Sequence, residues 1–161
     1  MKIILSIIFI FLSAAKGYSE SYSLDAHAEI IINEEIKIEE NIKESIIKAK
    51  GTFTDSLGNY GEVITLGTSK SDKEKVILDF LLQGINQKGD KFIGRQSRNS
   101  LEQEVGVGSF FYISGTGDYK KLVGKKCYYA VKYLNSNAFY KHKCDWLWRY
   151  NGLLQLFLLI K

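Results

Sequence analysis

The chain has 161 residues, with 22 Lys and Arg against 18 Asp and Glu, a formal charge of +4 interspersed along the sequence. That dispersion argues against a nucleic-acid partner, which needs a concentrated basic face; the length suits one domain with a real core. Proline is absent, so Gly, Asn and Asp must mark the turns.

Residues 1–17 carry the plan of a secretory signal peptide. Lys2 forms a short basic start, Ile3 to Leu12 an apolar run broken only by Ser6, and Ser13, Ala14, Ala15 and Gly17 give cleavage points after Ala15 or Gly17. The run is about half of the roughly 20 apolar residues a membrane span needs. Loss of this segment with Lys2 and Lys16 leaves a weak excess of +2. The expected location is the periplasm or the exterior, with no transmembrane span in the mature chain.

Residues 18–44 fit neither period cleanly. Ala28–Ile32 looks like a strand, while Glu39–Lys43 and Glu44–Lys48 are helix-supporting pairs four apart. The expectation here is a flexible or partly helical N-terminal extension, or a first strand, leading into a strand near Ser45. Alternation then becomes regular. Strands are expected at Ile46–Thr54, Tyr60–Thr68, Val76–Ile85, Lys91–Arg98 and Val105–Ser114, with turns at DSLGN, SKSDK and around Gly89-Asp90. GTFTDSLGNYG (51–61) and GTGDYKKLVGK (115–125) share a loose glycine–acidic–aromatic likeness that turn chemistry alone can produce. The fold class is all-β: one antiparallel meander barrel of about eight strands over residues 45–146.

The last two strands are separated by Asn135-Ser136. Pairing Leu134 with Asn137 sets the register, and seven steps outward Cys127 stands opposite Cys144 as a non-hydrogen-bonded pair. Such pairs have Cα atoms about 4.5 Å apart, within disulfide reach. A bridge there closes a loop worth about 3 kcal/mol. An even cysteine count behind an export signal agrees with it. Zinc would need further ligands, and only His142 is near, so neither metal nor cofactor is expected. The same register puts Cys127, Tyr129, Val131 and Tyr133 on one face with Cys144, His142, Tyr140 and Ala138. Lys132, Lys141 and Lys143 mark the opposite face as the solvent side.

Tyr129, Tyr133, Tyr140, His142 and Arg95 are therefore the candidate contacts for a ligand inside the barrel. An inward His beside a Tyr can orient a ligand or move a proton; no carboxylate partner is visible by spacing, and a core histidine is the competing role. Asp79 and an Arg (95 or 98) could pair if buried together; separate exposure is the alternative. The glycine pairs GVGS (106–109) and GTGD (115–118) precede no helix, which argues for close packing over a phosphate cradle. The tail from Trp146, apolar over Leu153–Ile160, could cover a sheet edge or, over Trp146–Ile160, mediate self-association. Residues 147–161 are set apart from the barrel.

GTGDYKKLVGKKCYYAVKY, a G-T-G-x-Y-x-x-L-x-G run followed by an alternating strand, resembles the penultimate hairpin of allene oxide cyclase-like and dirigent-like barrels of the calycin-type group. GNYGEV (58–63) and the arginine of IGRQS are similar to small exported bacterial proteins of that kind. The resemblance covers about residues 45–146. It implies an eight-stranded or similar barrel with an interior cavity, and carries no catalytic residue onto this chain. The expected function is an exported barrel binding a small apolar molecule. A cyclase- or isomerase-like enzyme and a structural or interaction protein are the alternatives.

Overall fold

A computed structural model describes residues 21–72, 75–101 and 105–145; residues 1–17, expected to be a signal peptide, and the tail 147–161 lie outside them. Eight strands follow in chain order: β1 (Ser21–Glu39), β2 (Ile42–Asp55), β3 (Tyr60–Ser71), β4 (Val76–Asn86), β5 (Lys91–Ser100), β6 (Val105–Gly115), β7 (Lys126–Leu134) and β8 (Asn137–Asp145). They form a closed antiparallel meander, and a 3-10 helix at Gly117–Leu122 joins β6 to β7. Strict alternation drives the closure. In β4 every second residue from Val76 to Asn86 is buried and each one between is exposed, which bends one apolar face inward all round.

The seam between β1 and β8 is held by contacts in one antiparallel register. The Ile30 amide donates to the Ser136 carbonyl at 2.8 Å. The His27 ring stacks on Phe139 at 4.7 Å, and Asp25 lies 3.7 Å from Lys141.

Residues 21–39 form the first strand, one of the two alternatives for 18–44; the flexible or partly helical extension is corrected. The barrel therefore begins well before residue 45. Helical charge pairs offer a few tenths of a kcal/mol each. Here they lose to a long ladder with β2, running from Leu24↔Asp55 to Glu39↔Ile42 with register shifts at Ile31 and Ile38. The missing period has a physical cause. A register shift at Ile31 swaps the faces of β1, and beyond Ile30 every residue to Glu39 is exposed. With neither face buried, nothing imposes alternation.

The cysteine hairpin has the register read from sequence: Leu134↔Asn137, Tyr129↔His142 and Tyr128↔Lys143 are partners. Cys127 and Cys144 are disulfide-bonded with Cα atoms 4.4 Å apart, and both are buried. Asn135, in the turn, takes a positive φ of 55°, which Asn tolerates better than most residues.

In an up-and-down barrel the β2–β3, β4–β5 and β6–β7 connections share one end, and that end is closed. Residues 55–59 and 86–90 form matching loops. Asp55 Oδ1 accepts from the amides of Leu57 and Asn59 at 2.9 and 3.0 Å; Asn86 Oδ1 accepts from those of Lys88 and Asp90 at 2.9 Å each. The recurring unit is thus this loop pair, not the 51–61 and 115–125 likeness seen in the sequence. Tyr119 and Leu122 of the 3-10 helix plug the end completely, and Asp55 Oδ2 accepts from the phenols of Tyr119 and Tyr22 at 3.1 and 3.4 Å.

Candidate ligand site at the open end

The barrel interior changes character along its axis. Above the plug lies a dry aromatic layer. Phe92 meets Tyr119 at 4.9 Å and Phe53 at 5.6 Å, and Phe110 meets Tyr112 at 4.8 Å. These rings fit because glycines stand opposite them: a Cβ at Gly84 would collide with the Phe92 ring, and one at Gly94 with Phe110. His142 belongs to this layer, 4.4 Å from Phe110 and stacked on Tyr112 at 5.6 Å. Burial alone pushes its pKa down to about 4, so it is neutral at pH 7, and its Nε2 has no hydrogen-bond partner among the described residues.

His142 also approaches the disulfide. The donor atoms of Cys127, His142 and Cys144 lie within 4.8 Å of one another. The sulfurs are bonded to each other, so neither is a thiolate able to hold a metal.

Above the aromatic layer a void of about 20 Å³ is lined by Gln96, Tyr129, Tyr140 and His142 among others. Above it in turn, a cavity of about 490 Å³ opens between the strands. Tyr140 lines both and forms the partition. The lining of the upper cavity mixes the apolar side chains of Ile30, Ile47, Leu78 and Phe80 with polar ones: Asn33 on β1, Thr65 and Ser69 on β3, and Tyr133, Asn135 and Tyr140 of the β7–β8 hairpin. Burial raises the pKa of Tyr133 and Tyr140, while the nearby Arg98 charge pulls both in the opposite direction. They are neutral hydrogen-bonding groups. The Thr65 hydroxyl is buried without a hydrogen-bond partner.

Of the five candidate contacts, Tyr133 and Tyr140 line the cavity, and Tyr129 and His142 lie beneath it. Arg95 is a correction: it points outward and pairs with Asp79 at 3.3 Å, both side chains at least half exposed. The pair forms as considered, but in solvent. The cause is phase. From Phe92 the inward residues of β5 are Gly94, Gln96 and Arg98, so the buried arginine of RQSR is Arg98. Its side chain passes over Gly106, and the Tyr129 ring over Gly108, which accounts for the GVGS glycines by close packing.

Thr65 and Ser69 were not singled out in the sequence. Their signal is the inward phase of β3, where both follow the buried Val63. A larger depression, about 740 Å³, lies on the outer face across β7, β8, β1 and β2. It is bordered by the exposed side chains of Asp25, His27, Lys132 and Lys141. Its floor is the outside of the sheet, so it encloses a ligand far less than the cavity does.

No family model matches the chain, and no curated protein matches it. A solved structure of a protein of unknown function from Clostridium acetobutylicum ATCC 824 is similar in fold. The TM-score is 0.64 at 10% identity, covering 78% of this chain and 96% of that one. The likeness supports the barrel architecture.

Proposed function

We propose that this chain is an exported barrel that binds a small molecule, mostly apolar with a hydrogen-bonding group, in its open end. One observation carries the reading: the cavity of about 490 Å³, lined by apolar side chains with neutral polar ones among them. Ligand sites of about 300–1,000 Å³ combine these features. Thr65, whose buried hydroxyl has no hydrogen-bond partner among the described residues, borders this cavity. Binding is favoured over cyclase or isomerase chemistry because the acid–base candidates His142 and Tyr129 lie under Tyr140, outside the cavity lining.

An environment-sensitive apolar fluorophore tests the reading. It should brighten in the wild-type protein and lose that signal in Ser69→Phe, which fills the cavity from β3. Thr65→Val should keep apolar-probe binding and weaken a hydroxyl- or carbonyl-bearing competitor. Equal fluorophore binding by wild type and Ser69→Phe would sink the assignment to this cavity.

A further inference from the structure

The free edge of β1 beyond the barrel wall carries an inference independent of the cavity. The seam ends where Ile30 meets Ser136, a turn residue at which the chain reverses between β7 and β8. Among the described residues no strand runs along 31–39 on that side. On the other side, residues 32–37 keep unbroken pairing with β2. The stretch is rich in β-branched residues, with Ile36 73% and Ile38 58% exposed. A long edge with unpaired backbone groups is a template for strand addition, and its charges select which strand can add.

We propose that this edge pairs antiparallel with the same edge of a second copy of the chain, about a two-fold axis centred on Ile36. A two-fold perpendicular to the sheet sets the central residue opposite its own copy and keeps partners on one face. Centres at Glu34, Glu35 or Lys37 put identical charges face to face. A centre at Asn33 carries the pairing back into the stretch held by β8. Centred on Ile36, the regular pairing spans 35–37 and stops at the register shift between Lys37 and Glu39. Ile36 meets Ile36, and Glu35 meets the copy's Lys37 twice.

The charge pattern points to the same occupant. Within one copy Lys37 stands directly opposite Lys43 on β2, an unfavourable like-charge pair. Glu35 already reaches Lys43 at 2.9 Å. The second copy brings another Glu35 to the free side of Lys37, opposite in sign to the lysine pair that Lys37 forms with Lys43. The interface is small, so association is concentration-dependent.

Sedimentation velocity on the full chain, from low to high micromolar concentration, tests this. The wild type should shift from monomer to dimer, and added salt should weaken the shift. Lys37→Glu should raise the dissociation constant about tenfold, and the swap Glu35→Lys/Lys37→Glu should restore it. A cysteine replacing exposed Ile36 should cross-link two copies under mild oxidation, because directly opposed Cα atoms lie within disulfide reach. One replacing Ile32 should not. A wild type that stays monomeric throughout would overturn the proposal. So would a dimer unchanged by Lys37→Glu, which would assign the contact to another surface such as the tail from Trp146.

Discussion

The two ends of this barrel are built from the same alternating strands and differ in what their inward side chains do. At the closed end, Phe53, Phe92, Phe110, Tyr112 and Tyr119 fill the interior, and the carboxylate of Asp55 takes hydrogen bonds from loop amides and two phenols. At the open end the inward positions of β3 become Thr65 and Ser69, and packing gives way to a cavity of about 490 Å³. Dense packing is concentrated at one end and the proposed recognition at the other. The contrast teaches that alternation alone closes a barrel, while side-chain volume decides whether the interior is core or site.

Substitutions at the two ends should therefore separate. Phe92→Ala, in the aromatic layer, is expected to cost about 3–5 kcal/mol in chemical denaturation without changing the open-end lining. Replacing both Cys127 and Cys144 by Ala should cost about 3 kcal/mol, seen as a lower denaturation midpoint with secondary structure retained.

Acid should act through the closed half. His142 has a folded pKa of about 4 against 6.5 for the free side chain. The unfolded chain therefore takes up the proton first, and stability present above pH 6.5 is lost as the pH falls toward 4. The loss has a ceiling of about 3 kcal/mol. Replacing His142 by Phe should flatten the stability profile across that window; an unchanged slope there would show that other groups cause it.

The open end should tolerate change. Thr65→Val removes a hydroxyl with no partner and should alter stability by less than about 1 kcal/mol while lowering affinity for a hydrogen-bonding ligand. Smallest of all, Arg95→Ala removes only an exposed pair and should shift stability by at most about 1 kcal/mol, nearer zero at high salt.

The closed barrel was legible wherever one face is buried. Alternation from Val76 to Asn86 and the register of the cysteine hairpin could be read from residue types because burial enforces them. The stretch 31–39 was not legible, since both of its faces meet solvent and isoleucine there marks no core. Arg95 and Arg98 were distinguishable only by phase: three residues apart on a strand, they necessarily face opposite ways, and Phe92 fixes which is inward. Tyr133 and Tyr140 were found by register. Thr65 and Ser69 were missed because a polar residue on a half-exposed strand looks like its outer face until the barrel closes around it.

Native mass spectrometry of the protein purified from its own host, beside its Ser69→Phe variant, tests the binding reading most directly. An added small-molecule mass on the wild type, absent from the variant, is the predicted result. Identical masses for the two, both bare or both loaded, would contradict it.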